Sequence, residues 1–129
     1  MENKKIIFTE KAPKPIGPYS QAIMRGNALF VSGQVGIIPE TGELDTSTIE
    51  NETKQVMENI KTIVETAGLK MSDIVKSTIF LSNLKDFSRM NAVYGKYFPE
   101  NPPARETVQV VALPKNANLE ISVIVIKGA

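Results

Sequence analysis

The sequence predicts an α+β fold with two helices lying on one face of a sheet. Three observations predict it. Short β-branched runs alternate with two longer stretches whose apolar residues recur at helical spacing. The segments follow one another in the order β-β-β-α-β-α-β-β. The strand runs also carry apolar residues at both parities, more than two helices on one face can cover.

Each element has a local reason. Ile6-Ile7-Phe8 makes a short first strand, and the loop Lys11-Ala12-Pro13-Lys14-Pro15-Ile16-Gly17-Pro18 follows. Its three prolines and glycine forbid regular structure and stiffen the backbone. Residues 20–24 and 28–32, joined by Arg25-Gly26-Asn27, form a hairpin. Pro39-Glu40-Thr41-Gly42 is a turn. Ser47 and Glu50 form a capping-box pattern for the first helix. Ile49, Val56, Ile60, Ile63, Val64 and Ala67 make its apolar stripe, and Gly68 stops it. Residues 74–81 form a strand. A second amphipathic helix is expected over 84–98, marked by Phe87, Met90, Val93, Tyr94, Tyr97 and Phe98 and ended by Pro99. Two C-terminal strands complete the order, the first reaching to about residue 113.

Residues 28–31, 74–81, 108–113 and 121–126 are apolar at both parities, as strands buried on two sides are. No third helix is available for the second face, so self-association is expected.

At 129 residues the chain fits one domain spanning 1–129. Fifteen basic and fourteen acidic residues leave no long-range field for nucleic acid or an anionic membrane. The lysines are scattered, with Lys11 and Lys14 flanking prolines. Neither a basic-aromatic groove nor tryptophan is present. Cysteine and histidine are both missing. That removes disulfides, thiolate nucleophiles, serine–histidine triads and histidine-ligated metals. The first nine residues lack the apolar run of a secretory leader, and no run approaches the roughly 20 residues of a membrane span, so a cytoplasmic protein is expected.

Two charges stand where strands normally carry apolar side chains. Arg105 opens a strand directly after Pro102-Pro103, and Glu120 shares parity with Ile124 and Ile126. Buried charges are costly unless paired or used. A guanidinium holds carboxylates bidentately, and a half-buried carboxylate moves protons, so a small acidic substrate and acid–base chemistry are one reading. A structural Arg–Glu pair is the other. Tyr19, held after a rigid turn, offers a phenol to an anion or simply packs. Ser32-Gly33 ends a strand with a hydroxyl and a place for close backbone approach. The Gly33–Gly36 pair matches a nucleic-acid GxxG loop but lacks flanking basic residues and a following helix. Glu40, Glu43 and Asp45 crowd a turn, which reads as a solvated acidic turn because their spacing fits no cation loop.

In order, Ile16-Gly17-Pro18-Tyr19-Ser20-Gln21-Ala22, Ser32-Gly33-Gln34, Thr41-Gly42-Glu43, Asn59-Ile60-Lys61 and Ala67-Gly68-Leu69 resemble the RidA/YjgF family. Asp73-Ile74-Val75-Lys76, Asp86-Phe87, Asn91, Tyr94, Phe98, Pro103-Ala104-Arg105, Leu113-Pro114-Lys115 and Glu120-Ile121 extend the resemblance over nearly the whole chain. It implies a chorismate-mutase-like α+β fold assembled as a homotrimer, with sites in clefts between subunits. It also implies hydrolytic deamination of 2-imino acids such as 2-iminobutanoate and 2-iminopropanoate to 2-oxo acids and ammonia. The substrates would come from pyridoxal-phosphate dehydratases. By motif position Arg105 would hold the substrate carboxylate and Glu120 would activate water. Tyr19, Ser32, Gly33, Phe87 and Asn91 would line the pocket. Thr107 stands where relatives often carry cysteine and keeps a hydroxyl at Arg105 parity, which adds it to the pocket. Glu106 stands where serine is frequent, and on a regular strand it points away from Arg105.

An iminium carbon is already electrophilic, so this chemistry needs no metal, cofactor or covalent nucleophile. The competing reading is a carboxylate-binding or regulatory module on the same trimer. A ribonuclease or translation inhibitor fits less well, given the charge balance and the absence of histidine.

Overall fold

The structure, a computed structural model, describes residues 3–128; Met1, Glu2 and Ala129, part of the single domain expected over 1–129, lie outside the described residues. The described residues hold six strands: β1 (Lys5–Ile7), β2 (Ala22–Arg25), β3 (Ala28–Gln34), β4 (Ile74–Leu81), β5 (Ala104–Gln109) and β6 (Leu119–Ile126). Two α-helices, α1 (Ile49–Thr66) and α2 (Phe87–Tyr94), complete the expected element order. One sheet runs β1-β2-β3-β6-β4-β5, with β4 and β5 parallel and all other pairs antiparallel. Among the described residues no helix is long and apolar enough to cross a membrane.

The core lies between the helices and one sheet face. Alternate residues of β3, β4 and β6 point into it: Leu29 and Val31, Ile79 and Leu81, then Leu119, Ile121, Val123 and Val125. Val56, Met57, Ile60, Ile63 and Val64 of α1 and Met90 of α2 close it from above. This is period two meeting period 3.6 across one apolar seam.

The described residues leave the other face uncovered. Ile6, Ile23, Phe30 and Ile124 are register partners on four adjacent strands and form an apolar row across the sheet. Ile6 is 64% exposed and Phe30 48%. The both-parity pattern of β3, β4 and β6 therefore has the meaning the sequence suggests: one face packed inside the chain, the other left open.

Three expectations shift. The α1 cap is Thr48, not Ser47: the Thr48 side chain accepts from the Asn51 amide at 3.0 Å, while the Ser47 hydroxyl donates to Asp45. Thr48 holds the extended backbone that an N-cap needs, and Asn51 is its third helical residue. The helix expected over 84–98 is three pieces, because α2 is flanked by 3-10 turns at Leu84–Asp86 and Gly95–Tyr97. Its ends tighten to satisfy terminal carbonyls, and Phe98 leaves helical geometry altogether. The strand expected to reach residue 113 ends at Gln109. It is the sheet edge, so only β4 pairs with it, and Val111 is fully exposed.

Candidate active site

The candidate residues fall into two groups on opposite faces of the sheet. Arg105 pairs in register with Ser77, which is buried under the helices. Glu120 pairs with Phe80, three residues along β4 and therefore on the open face. Parity puts a whole sheet thickness between the two side chains. The intrachain Arg–Glu pair that the sequence allowed is not formed.

The first group gathers under α2. The Arg105 guanidinium carbon lies 5.0 Å from the Tyr94 ring centroid and 5.6 Å from that of Phe87. Tyr94 donates to the Ser77 hydroxyl at 2.9 Å, and burial pushes its phenol up from the ordinary value. Among the described residues no carboxylate pairs with Arg105. Asn91 lies one helical turn from Phe87, and Thr107 shares the Arg105 face of β5. The Asn91 Oδ1 and Thr107 Oγ1 atoms are buried and have no hydrogen-bond partner among the described residues. A stacked cation without a counterion suits an anionic ligand, to which the Thr107 hydroxyl on the same face can donate, whereas the Asn91 oxygen calls for a donor. Glu106 points the other way, as strand parity dictates: it pairs with Lys76 at 3.0 Å and accepts from the Thr78 hydroxyl at 2.6 Å.

The second group forms a cleft of about 370 Å³ whose walls include Lys14, Ile16, Tyr19, Ser32, Gly33, Pro114, Lys115 and Glu120. It exists because β3 carries a bulge. Val31 pairs with Val123 and Gln34 with Ile121, so three steps on β3 match two on β6. The extra residue lies where Gly33 comes against Glu120. Glycine at 33 leaves the Glu120 carboxylate its place, since a Cβ there would sit 2.5 Å from Glu120 Oε2. Burial, with no hydrogen bond or cation to offset it, pushes the Glu120 carboxyl up from its ordinary value. Ser32 donates to the Ser20 carbonyl at 2.6 Å, tying the bulge to the Tyr19 loop.

Three buried polar side chains hold the cleft walls; Gln21 and Asn59 fall within the family motifs, whose spacing does not show a bracing role, and Glu52 lies outside them. Gln21 accepts from the Thr9 amide at 2.8 Å and donates to the carbonyls of Thr9 and Pro13 at 2.9 and 3.0 Å, fixing the proline loop. Glu52, fully buried, accepts from the amide and side chain of Asn118 at 2.8 and 2.7 Å, which anchors β6 just ahead of Glu120. Asn59 donates to the Ile37 carbonyl at 2.9 Å. Glu52 and Asn59 lie on the buried side of α1, and polar residues within an apolar stripe are the signal that marks them.

The acidic turn does not gather ligands. Asp45 is held by Ser47, whose hydrogen bonds lower its carboxyl, and no cluster of three or more acidic residues among the described ones could hold a metal.

Comparison with known proteins follows the same outline. The profile of the family described as Endoribonuclease L-PSP matches residues 9–127. A RutC family protein of Pyrococcus abyssi is 55% identical over 96% of this chain and 98% of its own. A Dermatophagoides farinae protein named 2-iminobutanoate/2-iminopropanoate deaminase is 48% identical over 98% of both chains. The crystal structure of YyfA from Yersinia pestis, a Rid family protein of unknown function, superposes with a TM-score of 0.94 at 46% identity, covering 96% of this chain and 99% of that one. The chain belongs to the RidA/YjgF family.

Proposed function

We propose that this protein hydrolyses 2-imino acids, such as 2-iminobutanoate and 2-iminopropanoate, to 2-oxo acids and ammonia, at sites completed between chains of a homotrimer. The observation that carries the reading is the separation of Arg105 and Glu120 onto opposite sheet faces. Each half lacks what the other offers. A second copy covering the apolar row of Ile6, Ile23, Phe30 and Ile124 would bury that row and bring a foreign Arg105 toward the Glu120 cleft.

In such a site Arg105 anchors the substrate carboxylate bidentately, and the Thr107 hydroxyl donates to the same group, while the Asn91 Oδ1 accepts from a donor such as the imine nitrogen or water. Glu120 takes a proton from water as the water oxygen bonds to the iminium carbon, giving a carbinolamine. The protonated carboxyl then gives that proton to the amino nitrogen. The carbon–nitrogen bond breaks as the hydroxyl loses its proton to Glu120, releasing ammonia and the 2-oxo acid. A carboxyl raised by burial is suited to both duties, since its pKa moves toward neutral pH. Tyr19 and the Ser32-Gly33 bulge shape the water side. No step requires a metal or cofactor. The cytoplasm, where pyridoxal-phosphate dehydratases release such imines, is the compartment this role needs.

A ribonuclease reading, carried by the family's descriptive name, would call for a phosphate groove with aromatic platforms. The net charge of +1 and the cleft lining do not favour it. A pure carboxylate binder would gain nothing from Glu120 in its cleft. The test is release of 2-oxo acid when a dehydratase generates the imine in situ. Acceleration over spontaneous hydrolysis supports the deaminase, and no acceleration at any protein concentration overturns it.

A further inference from the structure

We infer that the cleft favours imino acids with a second carboxylate, of the 2-iminosuccinate and 2-iminoglutarate type, and that Lys14 and Lys115 select them. The inference rests on the deaminase reading and names its substrate class. Of the residues lining the cleft, the charged ones are Lys14, Lys115 and Glu120. Among the described residues neither lysine is in an ion pair. Arg105 already serves the carboxylate next to the imine, and Glu120 faces the water and the nitrogen. A monocarboxylic substrate therefore leaves two cations at the cleft without a partner, and a distal carboxylate supplies one.

Position and backbone agree. The cleft of about 370 Å³ in one chain has both lysines among its walls together with Glu120. Lys115 is fixed at the cleft wall by backbone rather than left to a flexible loop. Its φ is 58°, in the left-handed region that a lysine rarely adopts, and the next residue, Asn116, has φ 60°. The turn is closed by the Asn116 and Ala117 amides donating to the carbonyls of Leu113 and Pro114. Lys14 lines the same cleft from the proline loop that Gln21 clamps. Two lysines lining one cleft offer a distal carboxylate two ammonium partners.

The test compares kcat/KM for 2-iminosuccinate, made by a D-aspartate oxidase, with that for 2-iminobutanoate, each read by competition with a nucleophilic trap. The native protein should favour the dicarboxylic imine. The Lys14→Met/Lys115→Met variant should lower the ratio of the two by at least about tenfold, the scale of a lost charge-assisted contact. An unchanged ratio, or a native preference for 2-iminobutanoate, overturns the inference. Binding of 2-oxoglutarate against 2-oxobutanoate by calorimetry gives a readout free of turnover. A dicarboxylate preference that vanishes in the double variant sustains the inference even if no imine is hydrolysed, in which case the deaminase reading alone fails. Equal binding of the two acids by the native protein refutes it whatever the turnover.

Discussion

The Glu120 carboxylate lies so close over Gly33 that a β-carbon on Gly33 would stand 2.5 Å from its Oε2 and 2.7 Å from its Cδ. The colliding atoms end a flexible side chain, so Gly33→Ala can be absorbed by turning Glu120 aside. The expected outcome is a folded protein with little change in thermal midpoint and a kcat lower by roughly 10²-fold, the usual effect of a misplaced catalytic group. Normal turnover in Gly33→Ala would mean that the carboxylate position does not matter.

Burial raises the Glu120 carboxyl above its ordinary 4.5, which fixes the sign of two pH effects. The acid limb of kcat/KM should follow this carboxyl, activity falling as the pH drops through its folded value. For stability the folded state disfavours the ionised form. That cost is absent below the unfolded pKa, grows as pH rises, and is complete above the folded pKa. Glu120→Gln should therefore be at least as stable as the native chain at neutral pH in urea titration, while losing about 10²-fold in turnover. A marked loss of stability in Glu120→Gln would make the residue structural.

Much of this was legible in the sequence and some was not, for reasons that differ by residue. Parity along a strand is local, so Glu106 turning away from Arg105, and Thr107 staying with it, could be read directly. The relative facing of Arg105 and Glu120 could not. It depends on the order β6-β4-β5 and on the registers Phe80↔Glu120 and Ser77↔Arg105, which are settled by pairing between distant segments. The cap moved from Ser47 to Thr48 because two neighbouring hydroxyls compete, and Asp45 takes one of them. The bulge at Ser32-Gly33 has no signature beyond the glycine itself.

Glu52 gives a prediction about the scaffold. It accepts two hydrogen bonds from Asn118 while fully buried, so Glu52→Ala strands the Asn118 amide and side chain. The cost should be about 2–5 kcal/mol, from two unsatisfied donors and a cavity. Glu52→Gln keeps one acceptor and should lose less. Denaturant midpoints of the two variants check the ordering, and equal values would mean that the hydrogen bonds carry little of the stability.

Activity should be indifferent to chelators and to added divalent metal. Without histidine or cysteine, a tight transition-metal site has only oxygen donors to draw on. The measurement must show the imine-generating enzyme itself unaffected by EDTA. Loss of turnover after dialysis, restored by one metal, would return Glu40, Glu43 and Asp45 to consideration.

Mixed-subunit complementation tests the shared site most directly. Arg105→Ala and Glu120→Gln should each be inactive alone, and each should show the mass of three chains by light scattering. The two variants are then unfolded together in equal amounts and refolded. A trimer with sites between neighbours regenerates an intact site wherever a Glu120→Gln chain lends its Arg105 to the Glu120 cleft of an Arg105→Ala chain. Random assembly restores about a quarter of the native sites, and activity should return to that order. Recovery near a quarter is the result predicted. Mixed trimers that form but stay inactive would contradict a site built from Arg105 of one chain and Glu120 of another.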